Sequence, residues 1–357
     1  MRAAVVGGGP AGLMTALLLI RRGVAREVVV WERDREENAG FGVILPPEAD
    51  ALLRRAAPHL ADEFAEHVVR WETTTVERDG DSWTTSATPD LAAIARATLN
   101  RLLWQECVAA GVIVRERVAP RLHALATSYD LVVCADGAGS LADQAGFDVS
   151  LNQVGPRYAW LGLDHAVDGL TFLTRPVAGG VFMAHAYPFA SSASTFLLEG
   201  PRAIDPEDIR ALFGLRVSTG TGDDTYQWRT FRERVVRPWS LGNIVLVGDA
   251  AHTTHYSIGH GTYLAFADAE ALVDALAGAN TVGANTVGAS TAGGNTLAAA
   301  LRDYEDTRRP AVESAQDLGR ASAAWFTQAV DELDRPLSRF AASLLTRGGR
   351  LLRDHEP

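Results

Sequence analysis

Residues 2–32 read RAAVVGGGPAGLMTALLLIRRGVAREVVVWE. Arg2–Val6 is a short run of strand-forming residues. Gly7-Gly8-Gly9-Pro10-Ala11-Gly12 follows, then an apolar stretch to Arg22 that Gly23 closes as a helix stop. Glu27–Trp31 is a second buried-strand pattern, ending at Glu32. The stretch predicts a βαβ unit with G-x-G-x-x-G at Gly7, Gly9 and Gly12, the fingerprint of a dinucleotide site. Gly7 permits the tight turn, Gly9 lets backbone approach a pyrophosphate, and Gly12 lets the helix pack on the strand. Pro10 and Ala11 open the helix, whose N-terminal amides would face the phosphates. Glu32 lies 20 residues beyond Gly12, with Arg33 beside it, at the spacing of a ribose acceptor.

Further along the chain, Leu131–Cys134 is a buried strand ending in Ala135-Asp136-Gly137. A third strand, Asn243–Val247, opens VGDAAHTTHYSIGHGTYLAFADAEAL (Val247–Leu272). Gly248-Asp249 follows the strand, then a loop holding His252, His255, His260, Gly259 and Gly261, then an Ala-rich helix. Ala92–Ala110 reads as an amphipathic helix and Val112–Val114 as a strand. From Leu151 to Arg237 the pattern changes to alternating polarity with turn residues between, which predicts an antiparallel sheet. Its strands include Tyr158–Leu163, Val181–Tyr187 and Thr195–Glu199. His185 and Tyr187 alternate with Ala184 and Ala186 and so share one face. Residues 276–297 contain four five-residue units, GANTV, GANTV, GASTA and GGNTL. They are too short and polar for a solenoid and read as a surface loop. Ala298–Arg309 reads as a helix stopped by Pro310, with further helices around Trp325-Phe326 and over Phe340–Leu352.

The expected fold class is α/β: a Rossmann-like dinucleotide domain with an inserted antiparallel β-sheet domain and C-terminal helices. The first domain spans 1–150, with a short excursion to the second near 60–90. The sheet domain spans 151–240. The first domain resumes over 241–275, the low-complexity loop covers 276–297, and C-terminal helices fill 298–357.

Composition narrows the function. The 357 residues suffice for two packed domains, and a net charge of −11 disfavours a nucleic-acid surface. Every one of the 33 basic residues is arginine, so no lysine Schiff base operates. Cys107 and Cys134 lack metal or disulfide spacing, which fits a reducing cytoplasm and no metal site. Ala3–Ile20 is glycine-broken rather than a signal peptide, and no apolar run suits a membrane span.

The glycine loop with Glu32, then Asp136-Gly137, then Gly248-Asp249, stand in an order that resembles the single-component flavoprotein aromatic hydroxylases, the p-hydroxybenzoate hydroxylase-like group. The resemblance covers essentially the whole chain. Phe41-Gly42-Val43, Ile94-Ala95-Arg96, VFMAHAYPF (Val181–Phe189), Ser257-Ile258-Gly259, Trp325-Phe326 and Ser343–Arg347 resemble one branch. That branch holds salicylyl-CoA 5-hydroxylase, the hydroxylase part of 2-aminobenzoyl-CoA monooxygenase and a violacein-pathway hydroxylase.

The resemblance implies non-covalent FAD, NADH or NADPH as transient reductant, and O2. It implies hydroxylation of an aromatic acid, an aryl-CoA thioester or an indole-type compound through a flavin C4a-hydroperoxide; the Ala-rich, lysine-free composition and the repeat insert point to bacterial secondary metabolism. The resemblance also implies a monomer or homodimer. Asp249 would take a ribityl hydroxyl, Arg96 and Asp136 would flank the FAD, and Gly259 and Gly261 would bring backbone to the pyrimidine end of the ring system. The helix start there would favour the anionic reduced flavin. His185, Tyr187, His255, Tyr256 and His260 are the candidates for the catalytic face. His252 has the position of a structural histidine. A non-oxygenating flavin oxidase or dehydrogenase, or a degenerate FAD-binding protein, is the alternative. A halogenase is disfavoured, since Trp-x-Trp-x-Ile-Pro and lysine are both absent.

Three positions depart from the pattern. Asp143 stands where an arginine is usual, a charge reversal that bears on NAD(P)H handling. Tyr256 replaces a usual proline and Tyr263 a usual asparagine, and an aromatic near the flavin can stack with an aromatic substrate.

Overall fold

The computed structural model describes residues 1–34, 40–86, 90–219, 227–284 and 292–347, without the side chains of 280–284 and 292–295. In chain order the first elements are β1 (Arg2–Val6), α1 (Pro10–Arg21), β2 (Glu27–Glu32), β3 (Gly42–Leu45), α2 (Pro47–Ala56), α3 (Pro58–Ala65) and β4 (Val69–Arg70). Next come β5 (Thr74–Arg78), β6 (Asp81–Thr85), β7 (Ala92–Ala95), α4 (Arg96–Ala109), β8 (Ile113–Glu116), α5 (Leu122–Ser128) and β9 (Leu131–Cys134). The sheet domain holds β10 (Asp148–Leu163), β11 (Leu170–Val177), β12 (Gly180–Ala190), β13 (Ala193–Gly200), α6 (Pro206–Phe213) and β14 (Arg229–Arg237). The chain then forms β15 (Ser240–Leu241), β16 (Ile244–Leu246), α7 (Gly261–Ala284), α8 (Ala292–Thr327) and α9 (Leu337–Thr346).

Six strands in the order β15-β16-β9-β1-β2-β8 form the first sheet, parallel except for β15. Its central strands are apolar and buried, as a sheet covered on both faces requires. α1 is buried along nearly its whole length, and α1, α4 and α7 pack around this layer. The three loops quoted above leave the carboxyl ends of β1, β9 and β16, adjacent strands of this sheet, where open α/β sheets bind ligands.

The second sheet runs β14-β10-β13-β12-β11-β5-β6 and is antiparallel except between β11 and β5. β5 and β6, early in the chain, form one edge of this sheet. One face of this sheet packs on α6 through Phe182, Phe196, Ile209 and Phe213. The opposite, inner face packs on the C-terminal helices through Phe172, Met183, Phe326 and Phe340. A small sheet, β3-β7-β4, joins the layers: the Tyr187 hydroxyl donates to Gly42 O at 2.8 Å, and Gly42 N donates to Thr195 Oγ1 at 2.9 Å. A Cβ on Gly42 would lie 2.3 Å from Phe189 Cβ, so only glycine fits this seam.

Four local expectations are corrected. Ala92–Ala95 is a strand, because its backbone is claimed on both sides by β3 and β4, and the helix starts at Arg96. Pro310 does not stop a helix; α8 runs through it. The residue is exposed, so the carbonyl it strands reaches water, while packing on α7 and β10 holds the helix on either side. The stretch read as a loop over 276–297 is helical in its described part, α7 extending to Ala284 and α8 beginning at Ala292. The paired helices propagate into the repeat from both sides. The C-terminal helix expected to reach Leu352 ends at Thr346, where Arg347 leaves helical geometry at ψ 139°; residues 348–352 lie outside the described residues.

Candidate cofactor and substrate site

The glycine loop has the geometry its sequence demands. Gly7 has φ 104°, and a Cβ there would meet Ala135 O at 2.3 Å. A Cβ on Gly12 would lie 2.0 Å from Gly7 O, whereas nothing lies within 4 Å of one on Gly9. The loop is therefore packed where the protein is and open where a pyrophosphate would approach. α1 begins at Pro10 with no side-chain cap, and Ala11 sits in the turn whose amides face that opening. Glu32 Oε2 accepts from Gly8 N at 2.6 Å and Oε1 from Asp34 N at 3.0 Å. The acid at the end of β2 thus also fixes the loop. Arg33 is exposed beside it.

Asp136 is committed to its own turn: Oδ1 accepts from Ser140 Oγ at 2.6 Å and Oδ2 from Leu141 N at 2.7 Å. Asp143, the apparent charge reversal, pairs with Arg234, a fully buried arginine on β14. Arg234 also donates to Ala250 O at 2.8 Å and Ala138 O at 3.2 Å. The reversal is one half of an ion pair that ties the sheet domain to both cofactor-side loops.

Gly248 takes φ 62°, and a Cβ on it would press on Ala11 Cβ at 2.9 Å. Beneath it, Asp268 on α7 is fully buried and fully paired. It accepts from Gly248 N at 3.1 Å and from Arg308 Nε at 2.8 Å, and His252 Nε2 lies 2.7 Å away. Burial alone would raise the Asp268 carboxyl, but His252 and Arg308 outweigh it and hold it below the ordinary value. Sequence reading missed this clamp; its only signal was Asp268, one of two acids in the otherwise apolar run LAFADAEAL.

Asp249 faces solvent from a recess. The protein crowding it pushes its carboxyl up, His252 and Arg96 pull it back, and Asp268 adds to the push. Arg96 and Asp249, far apart in sequence, are therefore electrical neighbours. Arg96 opens α4, held by its amide on Phe41 O at 3.1 Å. Gly259 closes a single turn over Tyr256–Ile258 with φ 67°, and space above Gly261, where α7 begins, is open.

The histidines divide. His252 is the structural partner of Asp268. His255 is buried in a niche formed by Gly155 and Gly319, with Nδ1 2.8 Å from Ser257 Oγ. Burial first, and the Arg347 charge second, push His255 down to about 3, so it stays neutral. His260 is half-buried, with Nδ1 2.6 Å from Ile258 O. His185 and Tyr187 lie on the inner face, both buried. Tyr187 bridges to Gly42, while His185 stands among aromatic rings: Phe172 at 5.9 Å, Phe326 at 6.1 Å and Tyr256 at 6.2 Å between centroids. Tyr256 also meets Tyr158 at 4.5 Å. Tyr263 points elsewhere and lines a separate recess of about 700 Å³ between α2, α7 and α8.

Several of the motifs that suggested one branch meet at the inner face: Val181–Phe189, Ser257–Gly259, Trp325-Phe326 and Ser343–Arg347. Trp325 Nε1 donates to Ser343 Oγ at 2.9 Å, and Arg347 reaches Ser257 O at 3.4 Å. The Arg347 guanidinium lies 4.9 Å from the Phe172 ring centre and 4.7 Å from that of Phe326.

An uncapped helix start behind an open glycine, a recessed acid beside an arginine and a second open glycine at α7 match the parts of a flavin dinucleotide. Next to them lies an aromatic face. Together they define a flavoprotein with a covered aromatic site. The family model described as FAD binding domain matches residues 1–126 and 124–316, and the chain belongs to that family. It is 41% identical to the 3-hydroxy-4-methyl-anthranilyl-[aryl-carrier protein] 5-monooxygenase of Streptosporangium sibiricum, over 98% of this chain and 95% of that one. It is 33% identical to the salicyloyl-CoA 5-hydroxylase of a Streptomyces species, over 97% of this chain and 70% of the relative. In fold it is similar to 2-methyl-3-hydroxypyridine-5-carboxylic acid oxygenase, with TM-score 0.74, 22% identity and 97% of each chain covered. The protein is an FAD-dependent aromatic monooxygenase that uses NAD(P)H and O2. Among the described residues no helix is long and apolar enough to cross a membrane.

Proposed function

We propose that this enzyme hydroxylates an amino- or hydroxy-substituted benzoyl group presented as a thioester on a carrier protein, within bacterial secondary metabolism. The observation that carries this reading is the 41% identity along nearly the full chain to an enzyme whose name specifies such a substrate. The aromatic inner face supports it, since stacked and edge-on rings suit a flat, electron-rich ligand.

Gly7, Gly9, Pro10, Ala11, Gly12 and Glu32 would hold the adenosine and diphosphate end of FAD, with Arg33 at its rim. Arg96, Asp136 and Asp249 would flank the diphosphate and ribityl chain. Gly259 and Gly261 would set backbone against the pyrimidine end. Bound FAD, once reduced by NAD(P)H, supplies the activated oxygen. The chain's own residues bind, orient and keep water out. The α7 start favours negative charge beside it, and the Tyr187–Gly42 bond closes the seam between the layers. Phe172, Phe326, His185 and Tyr256 enclose the ring. His255, neutral and buried, positions the loop through Ser257 and moves no proton. We place the enzyme in the cytoplasm, as a monomer or homodimer, a choice that sedimentation decides.

The test is turnover of the FAD-loaded enzyme with 3-hydroxyanthranilyl groups as the carrier-protein thioester, the N-acetylcysteamine thioester and the free acid. NAD(P)H consumption should be stimulated most by the carrier-bound form, with labelled oxygen from O2 entering the ring. Hydrogen peroxide without ring label would support the oxidase alternative. Preference for the free acid would overturn the thioester assignment.

A further inference from the structure

Buried polar atoms without hydrogen-bond partners gather on the inner face. Strand register sets Thr174, Met183, Glu199 and Tyr158 in one cross-strand row. The adjacent row holds Phe172, His185, Leu197 and Trp160. Thr174 Oγ1, Trp160 Nε1, both Glu199 carboxylate oxygens and the Tyr256 hydroxyl are buried without a partner. Four separate elements thus direct unmet polar atoms toward one aromatic enclosure. Structural polar groups are ordinarily paired, as Asp268 is on the cofactor side.

Glu199 is the costliest of them. It is 2% exposed. Burial raises its carboxyl to about 7, against the opposing pulls of Tyr256 and Arg347. Tyr158 faces it from β10, Met183 from β12, Tyr256 from the loop before α7 and Arg347 from the end of α9. The Tyr256 hydroxyl acts on the carboxylate as a hydrogen-bond donor does, although the contact falls short of a well-formed bond. Arg347 donates instead to Leu344 O at 2.6 Å and Ser257 O at 3.4 Å. A buried carboxylate with no other donor than this marginal contact keeps acceptor capacity for a further polar group.

We propose that Glu199, with the Tyr256 hydroxyl, is the specificity-determining pair of the site, the carboxylate accepting a hydrogen bond from a ring amino or hydroxyl group of the substrate. The assignment rests on the reading that an aromatic ring lodges against this face. It selects anilines and phenols, because a ring without a donor leaves the carboxylate bare. It also disfavours a second carboxylate at this end of the pocket, which suits an acid masked as a thioester.

The test compares FAD-loaded wild type with Glu199→Gln and Glu199→Leu, without NAD(P)H so that nothing turns over. Calorimetry gives the Kd for N-acetylcysteamine thioesters of benzoic, 2-aminobenzoic and 3-hydroxybenzoic acids. Wild type should prefer a donor-bearing ring over benzoyl by roughly 10–100-fold, the cost of one buried acceptor left unsatisfied. Glu199→Leu should erase that preference, and Glu199→Gln, which keeps an acceptor oxygen, should retain part of it. A purely structural role would weaken all three thioesters alike, and that result overturns the proposal. An unchanged preference in Glu199→Leu overturns it too. Should Glu199→Leu not fold, Tyr256→Phe takes its place: a reduced preference supports the pair, an unaltered one overturns it. If wild type binds no aromatic thioester, the proposed function itself fails, and this assignment with it.

Discussion

The two halves of the site are built on opposite rules. On the cofactor side the acids that shape the loops are paired: Glu32 with two amides, Asp136 with Ser140 and Leu141, Asp143 with Arg234, Asp268 with Gly248, His252 and Arg308. Open space there lies over Gly9 and Gly261 and before the exposed Asp249. On the proposed substrate side Thr174, Trp160, Glu199 and Tyr256 keep buried polar atoms without a well-formed partner. The cofactor side is a preformed mould of backbone, and the proposed substrate side holds polar groups in reserve. A protein that binds one invariant cofactor and a selected substrate has reason to be built this way. The mould must not change, while the reserved groups set the choice.

The largest effect should come from breaking the mould. Gly12→Val puts a side chain where even a Cβ would meet Gly7 O at 2.0 Å. A carbonyl in a tight turn has nowhere to go, so FAD affinity should drop by about 100-fold or more, near 3 kcal/mol. The ratio of flavin to protein absorbance after purification reads this directly. Retention of stoichiometric flavin would show that the loop is softer than its packing indicates.

Next in size is the Asp268 clamp. Asp268→Asn removes the charge between His252 and Arg308 and leaves Arg308 buried without its partner. Breaking such a buried pair costs about 3–5 kcal/mol. A fall in Tm of roughly 5–15 °C should follow, with flavin loss secondary to it. A shift of a degree or two would mean that the pairing contributes little.

These two predictions concern features the sequence showed very unequally. The glycine loop, Glu32 and Gly248-Asp249 were legible because backbone geometry constrains residue type locally. Only glycine fits at Gly7 and Gly12, and the demand is met within one βαβ unit. Asp268 and Arg234 were not legible, since their partners come from other elements and a lone buried charge leaves no periodic trace. The inner face was half legible. Alternation placed His185 and Tyr187 together, but which face looked inward, and that Glu199 joined them, depended on the register of β10, β12 and β13. The failed helix stop at Pro310 has the same origin: tertiary packing of α8 overrode a local rule.

A smaller effect separates the two halves by pH. Glu199 is raised to about 7 in the folded chain from an ordinary 4.5. A raised carboxyl leaves the fold most stable below the unfolded value, and that stability is lost as pH rises through the folded one. The penalty therefore grows between pH 4.5 and 7, toward about 3 kcal/mol at 1.36 kcal/mol per unit. Glu199→Gln should match wild type near pH 4.5 and exceed it in Tm at pH 8. A gap that does not widen with pH would place Glu199 in a wetter setting than its burial indicates. Asp268→Asn should show the reverse slope, because Asp268 is held below its ordinary value.

The smallest effect belongs to His255, the loop histidine that most resembles an acid–base residue in the sequence. Its value is lowered from 6.5 to about 3 by burial and by Arg347. A lowered histidine contributes stability that is present above pH 6.5 and is lost as pH falls toward 3. Above neutrality it carries no charge and has no proton to exchange in turnover. His255→Phe keeps an aromatic ring in the niche, where Phe231 already packs edge-on at 5.0 Å. The variant should lose less stability than wild type on acidification, and the limbs of its kcat/KM pH profile should stay where they are. A limb near neutrality that vanishes in His255→Phe would return the residue to the catalytic face, and would mean that water reaches the niche beside Gly155 during turnover.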